Sequence, residues 1–190
     1  MILMFSNISR VSVGPFSSLY AVGDLSLLST PGVSVAGSRQ IDSDSTKWLQ
    51  SMVSQYTCPI ISGLALGADS VAHRAALKNN IPTIAVLPCG VNNISPKSNI
   101  KLASQIVNSG GLLLSAYHPN QGARKHQYID RNKIIAYLGK LLIVPQCNKH
   151  SGTMHTVRFA RNFNKYIIVN NQNYSGNQFI LSDYSLAIPK

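Results

Sequence analysis

Six short and almost wholly apolar runs punctuate this chain, at residues 33–36, 59–62, 83–87, 112–115, 141–144 and 166–169. Each is rich in Val, Ile or Leu and bounded by Gly, Pro, Ser or Asn, which suits strands buried on both faces. Between them lie segments with helical periodicity. These are 43–56, a stretch through Val71, Ala72, Ala75, Ala76 and Leu77 that stops at Asn79-Asn80, then 98–108, 129–138 and 151–163. Asp42 or Ser43 is positioned to cap the first helix. Such alternation predicts an α/β fold: a Rossmann-like, doubly wound, mostly parallel sheet with helices on both faces. Crossover handedness and the strand-end rule then put ligand chemistry at the carboxyl ends of the strands. The last twenty residues, with Phe179-Ile180-Leu181 and Leu186-Ala187-Ile188, are expected to add a helix or strand at an edge.

Charge narrows the partner. Against 17 Lys and Arg stand 6 acidic residues, for a net +11. The acids are all aspartates, at 24, 42, 44, 69, 130 and 183, and the chain has no glutamate. Such an excess favours a polyanion through phosphate contacts and counterion release. No run approaches the roughly 18 apolar residues that cross a bilayer, and no basic amphipathic helix stands out, so no membrane partner is expected. The apolar start, residues 1–5, has no basic flank and is expected to be a short strand or ordered arm rather than a signal peptide. Cys58, Cys89 and Cys147 are odd in number and widely spaced. That pattern suits buried reduced thiols in a cytoplasmic protein and neither a disulfide frame nor a metal site.

Three junctions between a predicted strand and helix share one design: Gly37-Ser38-Arg39, Ser62-Gly63 through Gly67, and Ser151-Gly152-Thr153. Glycine permits close backbone approach, and free N–H groups at a helix start favour an anion. Arg131 and Lys133, on either side of Asn132, are expected at the start of another helix, where cations oppose the helix dipole unless an anion binds. The segment Arg124-Lys125-His126-Gln127-Tyr128 sets phosphate donors beside an aromatic ring. Asp69 and His73 stand i, i+4 on one helix and are expected to form a hydrogen-bonded pair bracing the glycine loop. His118, His126, His150 and His155 have no metal-ligand spacing, and no nucleophile stands beside a base. Neither catalytic residue nor metal is therefore expected. The G-x-G-x-x-G and G-x-x-x-x-G-K-[ST] fingerprints are absent.

Taken together these segments resemble the DprA/Smf family. Val35-Ala36-Gly37-Ser38-Arg39 is similar to its V-G-S-R motif. Ser62-Gly63-Leu64-Ala65-Leu66-Gly67-Ala68-Asp69, followed by Ala72-His73, resembles S-G-x-A-x-G-x-D…A-H. The run 83–90 resembles T-I-A-V-L-x-x-G, and Pro96 and Asn99 fit Y-P-x-x-N with Ser95 in place of Tyr. Arg131-Asn132-Lys133-Ile134-Ile135-Ala136 resembles R-N-R-I-I-A, Ser151-Gly152-Thr153 fits S-G-[ST], and residues 174–181 are similar to G-x-N-x-L-I. The resemblance covers about residues 19–182. It implies one Rossmann-like domain, with 1–18 as an N-terminal arm and no winged-helix or helical accessory domain. It further implies single-stranded DNA as ligand, a homodimer, a RecA-type recombinase as a further partner, no cofactor, no catalysis, and a place in DNA uptake, processing or recombination such as natural transformation.

Carried over by motif, Ser38, Arg39 and Lys125 contact phosphate, Gly37, Gly63 and Gly67 line the pocket, and Tyr128 stacks on a base. Arg131, Asn132, Lys133 and Ser151-Gly152-Thr153 complete it. The family's S-E-Y-P-P-G becomes Ser115-Ala116-Tyr117-His118-Pro119-Asn120, and its V-V-E-A becomes Ile143-Val144-Pro145-Gln146, so two carboxylates near the pocket are replaced. A competing reading is a small-nucleotide sensor or phosphoribohydrolase-like member of the related LOG superfamily. Those hydrolases use P-G-G-x-G-T-x-x-E with a catalytic glutamate, which this chain lacks. A third reading is a scaffold that assists a larger homologue.

Overall fold

A computed structural model describes residues 5–183 of the chain. The leading residues 1–4 and the segment around Leu186-Ala187-Ile188 lie outside the described residues. In chain order the strands are β1 Ser9–Val13, β2 Phe16–Gly23, β3 Gly32–Val35, β4 Ile60–Ser62, β5 Thr83–Leu87, β6 Leu112–Ser115, β7 Gly139–Val144 and β8 Tyr166–Val169. The α-helices are α1 Ser43–Val53, α2 Ala68–Lys78, α3 Ile100–Asn108, α4 Gln127–Leu138, α5 Thr153–Asn162 and α6 Ser175–Ser182. The strands form an 8-stranded sheet in the order β1-β2-β6-β5-β4-β3-β7-β8. β3 to β8 are mutually parallel, while β2 runs antiparallel to β6 and β1 antiparallel to β2.

The parallel strands are apolar because both faces are covered. Along β3, β4, β5 and β6 the side chains alternate between two layers of helix. Val33, Val35 and Ile60 pack on α1 and α2, and Ala85, Leu87 and Leu113 pack on α3. Ile61, Ile84, Val86, Leu112 and Leu114 face Ile134 and Ile135 of α4, and Leu142 and Val144 meet Met154 and Val157 of α5. β5 is buried along its whole length. Among the described residues no helix is long and apolar enough to cross a membrane.

Residues 9–18 do not form a separate arm. They belong to the hairpin β1–β2, which turns through Gly14 and Pro15 and covers the open edge of β6. Gly14 has φ +52, and a side chain there would run into the Tyr137 ring, so the turn needs glycine. Phe179-Ile180-Leu181 lies in α6, where Ile180 packs on the β7–β8 layer.

The order of the sheet locates the site. From β3 the chain moves one way to β4, β5 and β6, and it later returns to lay β7 on the other flank of β3. The crevice above the carboxyl ends of β3 and β7 is therefore the topological switch point, the usual ligand position in such sheets.

Candidate nucleic-acid interface

A cleft of about 280 Å³ occupies that switch point. Of the residues expected from sequence, Gly37, Ser38, Arg39, Tyr128, Arg131, Asn132, Ser151, Gly152 and Thr153 all line it. A smaller hollow of about 70 Å³ adjoins it, walled by Arg39, Gly63, Ala65, Leu66, Ser95, Pro96 and Tyr128. Arg39 and Tyr128 form the ridge between the two.

The loop after β3 is clamped on both sides. Ser38 N–H donates to Gln146 O at 2.7 Å, and Ala68 N–H donates to Ser38 O at 3.0 Å. Gln146, next to Pro145 where the resembling family carries a carboxylate, also accepts from the Asp42 N–H at 2.9 Å, while Asp42 caps α1 by accepting from Ser45 N–H. Ser38 Oγ accepts from Gln40 N–H at 3.0 Å, which tightens the turn beneath Arg39. Gly67 does not line the cleft. It has φ +71, and a Cβ there would strike the Ser38 carbonyl, so its part is to let α2 approach the β3 loop.

The glycine loop after β4 already holds an anion. Asp69 Oδ2 accepts the N–H groups of Gly63 and Ala65, both at 3.2 Å, and pairs with Arg131 Nη1 at 3.3 Å. Both side chains of that pair are more than nine-tenths buried. The two loop amides are thus used internally and are not offered to a ligand. Asn99 steadies the same loop, donating to Leu64 O at 2.8 Å and Ala65 O at 3.3 Å. Ser62 is fully buried and its hydroxyl donates to Val35 O, so it lies outside the cleft.

The expected Asp69–His73 pair is not formed. Asp69 bonds Arg131, and His73 Nδ1 meets Thr83 Oγ1 at 2.7 Å on the sheet side of α2. Arg131 and Lys133 do not stand at a helix start either. α4 begins at Gln127, which places them in its second turn. Residues 128, 131, 132 and 135 share the face turned to the cleft, while Lys133 sits on the exposed face. Lys125 is exposed in the polar loop ahead of α4 and lines neither hollow.

Tyr128 is half-buried in the first turn of α4. The Arg39 guanidinium stands 5.2 Å from its ring centroid, and its hydroxyl lies 3.4 Å from Ser95 Oγ. Asn132 Nδ2 donates to Gly152 O at 3.4 Å and ties α4 to the start of α5. At the outer rim the Tyr117 hydroxyl donates to Asp130 at 3.0 Å, and burial, with this bond second, holds the phenol well above its ordinary range. Leu66, Ser95, Gln146 and Thr156 were missed from sequence. Thr156 follows Thr153 by one helical turn on the same face, so the i, i+3 spacing carried a signal.

These features define a class: a Rossmann-like α/β domain with a polar, cation-lined cleft and an aromatic platform at its switch point. The chain belongs to the DNA recombination-mediator protein A family, whose model matches residues 6–182. It is 38% identical over 144 residues to the DNA processing protein DprA of Streptococcus pneumoniae, covering 75% of this chain and 51% of that protein. The chain therefore spans about half the length of that relative. The X-ray structure of the S. pneumoniae DprA superposes with a TM-score of 0.89 at 28% identity, over 98% of this chain and 72% of that one. The DNA processing protein A of Helicobacter pylori, solved for its single-stranded DNA binding mode, gives 0.83 at 28% identity, over 96% and 90% of the two chains.

Proposed function

We infer that this domain binds single-stranded DNA along the ridge formed by Arg39 and Tyr128, with the phosphate backbone drawn by the basic surface. One observation carries the reading: a guanidinium and a phenol ring stand 5.2 Å apart over a cleft whose one lining carboxylate is already paired. That arrangement offers a phosphate and its base one partner each. Single-strand binding needs this combination because every base has a π face whatever its sequence. Leu66, 47% exposed beside Tyr128, adds an apolar wall to the same hollow. Lys125 and Lys133 serve as outlying charge that steers a strand rather than as pocket residues. The reading is of binding rather than catalysis. Its wider extension is a homodimer in the cytoplasm that acts in DNA uptake, processing or recombination beside a RecA-type recombinase, and family membership supports that extension.

Fluorescence anisotropy of a labelled oligo-dT tests the core of it. With three to five phosphate contacts, the log–log slope of affinity against salt is expected to be roughly −2 to −4. A flat response would rule out a phosphate-bound strand. Tyr128→Ala is expected to weaken binding by about 1–3 kcal/mol, the range for loss of one stacked base. Arg39→Ala should reduce affinity for all sequences alike and flatten the salt slope by about one contact's share. Unchanged affinity in both variants would remove the ridge from the interface.

A further inference from the structure

Residues 70–129 carry six cations and not one acid, although aspartates stand on either side of that stretch. Arg124 and Lys125 lie in the loop ahead of α4. The other four, Arg74, Lys78, Lys97 and Lys101, are exposed on α2 and around the start of α3, and none has an ion-pair partner among the described residues. Solvated basic helix faces are common. What sets this one apart is where it lies and where the aspartates are.

The fold draws the four cations onto one face. Ser70 Oγ accepts from Asn99 Nδ2 at 2.9 Å, and Leu77 packs against the cluster that holds Leu102 and Ile106 of α3. Ser70 and Leu77 therefore define the flank of α2 that meets α3. Arg74 stands four residues after the first and three before the second, so it shares that flank. Lys78 follows Arg74 by one more turn. Lys97 and Lys101 are also four apart, and Lys97 comes directly after Pro96, which walls the smaller hollow with Arg39 and Tyr128. Cations four apart on a helix rise about 6 Å per step, close to the phosphate step of an extended single strand.

The aspartates stand across the other ways off the ridge. Asp42 and Asp44 open α1 against a single Lys47, Asp130 is exposed on α4 beside Tyr117, and Asp183 follows α6. A strand that leaves over α1 or along the outer face of α4 meets carboxylate. One that leaves past Pro96 meets Lys97 and then the seam between α2 and α3.

We propose that the α2–α3 face is a second contact surface for DNA, an electrostatic track that holds the phosphates of the strand next to the segment on the Arg39–Tyr128 ridge. It rests on strand binding at that ridge. Neither helix contains a Phe, Trp or Tyr, so the track gathers phosphates without stacking on bases. α2 has 11 residues and spans about 15 Å, room for about three further nucleotides.

Anisotropy titrations of the full chain with labelled oligo-dT of two lengths test the track. An oligomer of about 4 nucleotides fills the ridge, and one of about 12 reaches the track as well. The longer one is expected to bind more tightly and to show the steeper salt dependence. Arg74→Gln/Lys101→Gln changes two exposed side chains with no ion pair to lose. It is expected to leave the short oligomer's affinity unchanged and to take roughly 1.4 off the log–log slope of the long one, two contacts at about 0.7 each. Lys140→Gln/Arg158→Gln removes the same charge from exposed positions on β7 and α5 and is expected to change neither. A long-oligomer slope unmoved by the first variant, an equal loss in the second, or an equal loss for both oligomers overturns the track. Failure of the short oligomer to bind the unaltered chain overturns the ridge reading instead, and the track is then judged on the long oligomer and the two variants alone. Failure of both oligomers to bind overturns both.

Discussion

Replacing Asp69 with alanine is expected to lower the free energy of unfolding by about 3–5 kcal/mol, the range for breaking a buried ion pair from one side. Arg131 would be left charged and enclosed with no counter-ion, and the Gly63 and Ala65 N–H groups would lose their acceptor. The Asp69→Asn variant keeps an oxygen for those amides but not the charge, so it should recover only part of the loss. Urea titrations of the three proteins measure the difference through the midpoint at constant slope. A loss below about 1 kcal/mol for Asp69→Ala would show that the pair is hydrated in solution and worth no more than a surface bridge. The same substitution should also weaken the proposed strand binding without touching a ligand. It releases the loop that forms one wall of the smaller hollow and the helix face that carries Tyr128.

Stability should fall by about 3 kcal/mol between pH 6.5 and pH 4 because of His73 alone. Its ring is fully enclosed, and burial pulls its pKa from 6.5 down to about 4, with Asp69 acting in the opposite direction and Arg131 adding to the fall. Below pH 6.5 the unfolded chain takes up a proton that the folded chain refuses until pH 4. Unfolding therefore gains ground as acid is added, and the profile levels off about one pH unit above 6.5. Urea midpoints measured at half-unit steps from pH 7 to pH 4.5 should trace this slope, and His73→Asn should remove most of it. A wild-type profile that stays level to pH 4.5 would mean the folded protein accommodates the imidazolium at no cost.

The parallel core was legible from composition and spacing. Residues 83–87, 112–115 and 166–169 are strands with the bounds their apolar runs predict; the first two are buried on both faces, which leaves an unbroken signature, while the edge strand 166–169 keeps its apolar run although Tyr166 is exposed. The hairpin β1–β2 was not read, since it is half-exposed and its sequence mixes Ser and Arg with isolated Val and Leu. The signal there was the Gly14-Pro15 dipeptide between alternating runs. The cleft's outline was also legible, as nine of its lining residues come from motifs singled out in the sequence, six in or at the end of the loops after β3 and β7 and three on α4. Pairing inside it was not. Helical spacing matched Asp69 to His73, but Asp69 sits at the second position of α2 and reaches back to the loop before it, the direction side chains take in a helix. Its true partner is 62 residues away on α4, and no local pattern announces a contact of that range.

The Gly63 position fixes the order in which this site can change. A Cβ at residue 63 would fall on the Arg131 guanidinium itself, at Nη1. Any larger residue at 63 is therefore excluded while arginine occupies 131, and it becomes admissible only after that side chain shortens. A double-mutant cycle on Gly63→Ala and Arg131→Ala should show strong positive coupling, the pair costing much less than the two singles summed. Across related sequences the two positions should accordingly vary together, with glycine kept at 63 wherever 131 is arginine.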